Sequence, residues 1–229
     1  MEISRKIENR RVISVKLLAT LASLIVFCSL AFVIHSSGGL SLDNRIVEWA
    51  EQSITGSLYS FISLFTNLGH KLVVITIGII SLIILWWKTR DYIGMVTLAV
   101  VLIGSNELFQ ILKGIFLRER PILDPAIDAL GYSFPSGHAT VSMAFYGMIL
   151  YLISKHMTSS TVKTGVLISL GLYIFLIGVS RILLRAHYLT DVIAGFAIGF
   201  IYLMICIFLY EKMTERIGVT KKKKSELTF

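Results

Sequence analysis

Six apolar runs, separated by polar or charged clusters, set the rhythm of the chain: Leu17–Ile34, Leu72–Trp87, Tyr92–Leu112, Ala139–Ser154, Thr164–Ser180 and Tyr188–Tyr210. A helix needs about 20 apolar residues to cross the hydrocarbon core of a bilayer. The second and fourth runs are short, so flanking residues must extend them. Lipid offers the backbone no hydrogen-bond partners, so every run is predicted to be helical. The pattern reads as an all-α integral membrane protein, a six-transmembrane-helix bundle forming a single domain over residues 1–229. The first run follows basic residues as a signal peptide would, but it is longer than a typical h-region and lacks a clean cleavage site, so a retained helix is expected.

Between the first two runs, LDNRIVEWAEQSI brings Ile46, Ala50 and Ile54 to one helical face, with Asp43 as the expected N-cap of an interfacial helix. Gly195 and Gly199 form a close-packing pair on the last run. Cys28 and Cys206 fall in separate runs and read as small core hydrophobes.

Composition agrees with the membrane reading. Hydrophobic residues make up 55% of the chain, charged residues 16%, and the mean hydropathy is +0.78. Average soluble domains carry roughly 25% charged residues. The net charge of +8 is unevenly distributed. With six spans both termini share a side, and that side holds fifteen of the 22 basic residues: Arg5, Lys6, Arg10, Arg11, Lys16, Lys88, Arg90, Lys155, Lys163, Lys212, Arg216 and Lys221–Lys224. Positive-inside bias therefore predicts a cell-membrane protein with cytoplasmic termini. Residues 212–229 form a basic cytoplasmic tail suited to an anionic leaflet. No nucleic-acid partner is expected.

Five basic residues break that bias. Lys113, Arg118, Arg120, Arg181 and Arg185 lie in two loops on the opposite, extracytoplasmic side. Snorkelling explains any one such residue but not five together. They sit in or beside three polar segments, KGIFLRERP, FPSGHA and SRILLRAHYLTD. Lys113, Arg120 and Arg181 supply fixed positive charge suited to oxyanions. Ser136 and Gly137 head the fourth run, where backbone N–H groups of a helix N-terminus would face an anion. His187 and Asp191 stand one helical turn apart, so the carboxylate can hold one imidazole nitrogen and free the other to attack. His138 offers a second proton-active group. No Cys, His or carboxylate cluster points to a metal, and no cofactor is implied. Asn106, Gln110 and Lys113 share one face of the third run, giving a polar track up to the lysine.

Lys113 to Arg120-Pro121, Pro135-Ser136-Gly137-His138, and Ser180-Arg181 to His187 to Asp191 resemble the three-part signature of the type-two phosphatidic acid phosphatase family in order and spacing. The resemblance implies a lipid phosphatase with its active site at the extracytoplasmic face and a membrane lipid as substrate. It implies a metal-independent reaction in which His187 forms a phosphohistidine, Asp191 holds it and His138 protonates the leaving oxygen. Lys113, Arg120, Ser136, Gly137 and Arg181 would bind the phosphoryl group. The third segment departs from the family pattern, with Leu183, Arg185 and Leu189 replacing an aromatic, a glycine and a proline. Arg185 and Arg118 are expected to contact a headgroup. Candidate substrates are phosphatidylglycerophosphate and undecaprenyl pyrophosphate, then phosphatidic acid. A lipid phosphotransferase using the same site is the alternative, ahead of an anion channel or transporter, which would leave the histidines unexplained.

Overall fold

The computed structural model describes residues 2–121 and 131–226, with side chains from residue 13 to residue 217 outside that gap. The side chains of Arg5, Lys6, Arg10, Arg11 and Lys221–Lys224, counted above, lie outside the described residues. The described residues form eight longer helical units, with a single 3-10 turn (Asn67–Gly69) between the third and fourth: α1 (Glu2–Ser37), α2 (Ser41–Ser53), α3 (Gly56–Thr66), α4 (Lys71–Thr89), α5 (Tyr92–Phe116), α6 (Gly137–His156), α7 (Ser160–Leu183) and α8 (Leu189–Glu226). Six of them, α1 and α4 to α8, are long and apolar enough to span a membrane. Each covers one of the apolar runs, apart from Tyr188 just before α8, and extends it into polar sequence, furthest at the start of α1 and the end of α8. The bundle follows from chemistry alone, since saturating its own backbone is what an apolar helix must do in lipid.

Burial grades from the centre outwards. α6 is the most buried span and α1 the least. Leu98 and Val101 of α5, Phe145, Tyr146 and Met148 of α6, Ile174 of α7 and Leu203 of α8 join one core cluster. Ile25, Phe32, Ile79, Ile103, Phe175 and Phe208 are exposed, as lipid-facing side chains should be. Cys206 is buried as expected, whereas Cys28 is exposed on α1, and its expected core role gives way to a lipid-facing one. A π turn, Ser142–Tyr146, interrupts α6 just beyond its start.

The connection between α1 and α4 holds two helices, where one was expected. α2 lays Ala50 and Ile54 against Leu184 and Ala186, with Ile62 of α3 in the same cluster. Its N-cap is Leu40; Asp43 sits in the first turn, fully buried, and accepts the Leu40 N–H at 3.3 Å. The side chain predicted to cap the helix thus has other work, described below.

Helix direction sorts the ends. The C-termini of α5 and α7 and the N-termini of α6 and α8 lie at one end of the bundle, opposite the chain termini. All three polar segments fall there.

Candidate active site

Two local helix stops and a pinned loop between them deliver the site residues. α5 ends at Phe116; Leu117 turns into the left-handed region (φ +50°) and donates its N–H to the Lys113 carbonyl. This reversal points Arg118 inward and brings Arg120 back over the helix end, which accounts for the spacing from Lys113 to Arg120.

α7 ends in a Schellman motif. Arg185 takes φ +57° and donates its N–H to the Ile182 carbonyl, while Ala186 and His187 both donate to the Arg181 carbonyl at 3.1 and 3.2 Å. The five residues between Arg181 and His187 are therefore the length of a capped helix end that folds the histidine back over the arginine. The glycine replaced by Arg185 in the family pattern is the residue that prefers this conformation.

Between these stops, the segment after Gly131 is pinned by its backbone. Ser133 donates its N–H to the Arg118 carbonyl at 2.7 Å, and Ser136 donates its own to the Asp191 carbonyl at 3.0 Å. The peptide between Phe134 and Pro135 is cis.

The result is one cavity of about 480 Å³ that Lys113, Arg120, Gly137, His138, Arg181 and His187 all line. Arg120 holds the Gly131 and Ala186 carbonyls at 2.8 and 2.7 Å, and its Nη1 lies 3.1 Å from His187 Nε2. Arg181 is buried, with Nη1 3.2 Å from Thr66 Oγ1 at the end of α3. Gly137 abuts the Phe109 ring so closely that a Cβ would come within 2.9 Å of it. The cavity continues past Gln110, Asn106 and Glu107 to Leu102, Val74 and Ile75. The polar track predicted on α5 is thus part of its wall.

His187 is fully buried. Its Nδ1 lies 3.3 Å from Ser133 Oγ and 3.5 Å from Asp191 Oδ2. The second distance is long for a direct hydrogen bond, and Ser133 closes the gap by donating a short hydrogen bond to Asp191 Oδ2. Burial, then the Arg120, Lys113 and Arg181 cations, hold the imidazole pKa well below the ordinary 6.5. A neutral imidazole whose Nδ1–H faces the hydroxyl and carboxylate turns its Nε2 lone pair to Arg120 Nη1 at the cavity wall.

Two expectations give way. Ser136 does not line the cavity; its N–H is taken by Asp191, and its buried hydroxyl has no hydrogen-bond partner among the described residues. Arg118 contacts no open headgroup position but is buried between Asp43 and Asp191. Arg185 does not line the cavity either; its Nη1 lies 3.2 Å from Glu51 of α2. The sequence reading assigned no site role to Ser133, Thr66, Thr190 or Asp43. Only Ser133 had a signal, its place two residues before the Pro-Ser-Gly-His run.

Fold and site together define a multi-pass membrane enzyme whose cations and histidines converge on one end of a single cavity. The family model of the PAP2 superfamily matches residues 94–215, more than half of the sequence, and the chain belongs to that superfamily as a phosphoric-ester hydrolase. It is 29% identical over 207 residues to phosphatidylglycerophosphatase B of Bacillus subtilis, covering 86% of this chain and 95% of that protein. Its fold matches the crystal structure of a transmembrane PAP2-type phosphatidylglycerolphosphate phosphatase from Bacillus subtilis, with a TM-score of 0.74 and 28% identity over 86% of this chain and 96% of that one. Aquifex aeolicus LpxE shares the fold with a TM-score of 0.57 and 24% identity, over 73% of this chain and 96% of that chain.

Proposed function

We propose that the protein hydrolyses the terminal phosphate of a glycerophospholipid, with phosphatidylglycerophosphate as the preferred substrate, by way of a phosphohistidine. The observation that carries the chemistry is His187, buried, with Nε2 on the cation-lined cavity and Nδ1 towards Ser133 and Asp191. Lys113, Arg120 and Arg181 hold the non-bridging oxygens, and the Gly137 backbone closes one side of the cradle. Nε2 attacks phosphorus as the bond to the lipid oxygen breaks, and His138 gives that oxygen its proton. Water then attacks the phosphohistidine, His138 takes its proton, and inorganic phosphate leaves with His187 restored.

The wall below the cations supports the choice of lipid. Gln110 and Asn106 lie about 4.5 and 10.5 Å deeper along α5 than Lys113, at 1.5 Å per residue. At the Asn106 depth a glycerophospholipid still offers phosphodiester and ester oxygens, whereas a polyprenyl pyrophosphate, past its inner phosphate, offers only hydrocarbon. Polar groups facing hydrocarbon lose their partners. The Bacillus subtilis relatives are named for phosphatidylglycerophosphate as well. By the positive-inside rule the site faces the extracytoplasmic side, with both termini in the cytoplasm.

The test is phosphate release by detergent-purified protein in EDTA from phosphatidylglycerophosphate, undecaprenyl pyrophosphate and phosphatidic acid. Release that survives chelation and disappears in His187→Ala supports the reading, as does acid-labile phosphate retained on His138→Ala. Full activity in His187→Ala would sink the mechanism. Loss of substrate with no free phosphate until an acceptor lipid is added would favour the phosphotransferase. Equal loss on both lipid classes in Asn106→Leu/Gln110→Leu would overturn the assignment of the polar wall.

A further inference from the structure

We infer that Arg118 is a positioning residue for this hydrolysis: it locks Asp191 and Ser133 behind His187, and Asp43 of α2 completes the unit. The inference rests on the phosphohistidine reading and names groups that touch neither substrate nor phosphorus. Arg118 does not line the cavity. Its Nη1 lies 2.5 Å from Asp191 Oδ1 and 2.8 Å from Thr190 Oγ1, and its Nη2 lies 2.8 Å from Asp43 Oδ2. Asp43 in turn accepts the Thr190 N–H at 3.1 Å and the Thr190 hydroxyl at 2.7 Å. The guanidinium stacks 4.1 Å from the Tyr188 ring centroid. Arg118 is 8% exposed, Asp43 1% and Asp191 0%.

Geometry gives this unit a direction. Arg118 occupies Oδ1 of Asp191, so Oδ2 is the oxygen turned to Ser133, the Tyr188 N–H and His187. The same residue's carbonyl anchors the Ser133 N–H, so side chain and backbone of Arg118 fix both groups that face Nδ1. A carboxylate buried this deeply needs charged or hydrogen-bonding partners on both oxygens. A forked guanidinium can serve two carboxylates at once, which a lysine ammonium cannot match in geometry. The turn between α1 and α2 is shaped to admit it: Gly39 has φ +144°, and a Cβ there would overlap Arg118 Nη2. Asp43 and Gly39 thereby tie the interfacial helix to the proton-holding side of the nucleophile.

The test uses full-length Arg118→Lys, Asp43→Asn and Gly39→Ala beside His187→Ala and Asp191→Asn, with phosphatidylglycerophosphate in detergent. Thermal melting and gel filtration select variants that fold. Arg118→Lys is expected to lower kcat roughly 10- to 100-fold, as misplacement of a reacting group does, with KM within about twofold of wild type. In an Asp191→Asn background the same change is expected to cost little more, because both act through one group. Gly39→Ala should reproduce the kcat loss. A raised KM with unchanged kcat would overturn the inference and restore Arg118 as a headgroup contact. Losses that multiply with those of Asp191→Asn would overturn it too, as would a folded Arg118→Lys with wild-type kinetics. If His187→Ala keeps its activity, the underlying reading falls instead, whatever Arg118→Lys does.

Discussion

Arg185 holds a left-handed backbone conformation (φ +57°) that glycine adopts without cost, and its nearest compensation is the ion pair with exposed Glu51. The conformation costs a non-glycine residue about 1–2 kcal/mol, and an exposed pair returns about 0.2–1 kcal/mol. Arg185→Gly should therefore leave thermal stability within about 1 kcal/mol of wild type, since relief of strain offsets the lost pair and the extra freedom of the unfolded chain. Arg185→Val should melt clearly lower, because a β-branched side chain fits this region worst. The pH response of His187 also belongs to the single residue. Its pKa is depressed, so the neutral imidazole persists below the ordinary 6.5, and on the proposed phosphohistidine mechanism the acid limb of kcat/KM should lie under that value. Arg120→Met removes a neighbouring cation that disfavours the imidazolium, so its acid limb should shift upward relative to wild type while the rate falls. An unmoved limb in a pH–rate profile would contradict this assignment.

Among elements, the contact between α8 and the head of α6 constrains the site backbone against backbone. A Cβ on Gly195 would come within 2.7 Å of the Ser136 carbonyl, and one on Gly199 within 2.6 Å of the Thr140 carbonyl. Both clashes are with backbone, so nothing flexible can yield. Gly195→Ala should lower both melting temperature and activity, whereas Gly114→Ala, with nothing within 4 Å, should be neutral or slightly stabilising by up to about 1 kcal/mol. The sequence exposed this scale unevenly. Spans, their order, the glycine pair and the motif spacings were readable, because lipid imposes a length and helix ends impose local rules. Asp43, Thr66 and Thr190 were not readable as site supports. They are short polar residues whose partners are mostly far off in sequence, and Asp43 looked like an N-cap because its local setting is a helix start. The bond made by the Ser136 N–H was unreadable for a related reason: its partner is a carbonyl on α8, invisible to any local pattern.

On the scale of the molecule, the end opposite the site is held by a second polar network. Asp91, between α4 and α5, accepts from the Tyr210 hydroxyl at 2.6 Å and the Gly94 N–H at 2.8 Å, and lies 2.8 Å from His156 Nε2. Lys155 donates to the same tyrosine at 2.9 Å, and Lys16 and Tyr151 meet at Glu211. Burial pushes the Asp91 pKa up, but the Tyr210, Gly94 and His156 contacts outweigh it and leave it lowered. A lowered folded-state value means stability that is present above the ordinary 3.8 and is lost as pH falls through the lowered value. Asp91→Asn should therefore melt lower than wild type at neutral pH, and the gap should narrow once the pH drops below 3.8. A gap independent of pH would show that this clamp owes nothing to the carboxylate's charge.

The hydrogen bond from the Ser136 N–H to the Asp191 carbonyl has a meaning for how the protein is made. Translation runs from the N-terminus, so five spans are complete before Asp191 leaves the ribosome. Until the last helix docks, the Pro-Ser-Gly-His loop lacks its anchor and His187 lacks its carboxylate. The unfinished chain thus sits among the lipids around it with its cavity walls still unassembled. The end of synthesis and the completion of the site fall on the same docking step, and a message cut short before α8 yields a chain in which the loop never gains this anchor.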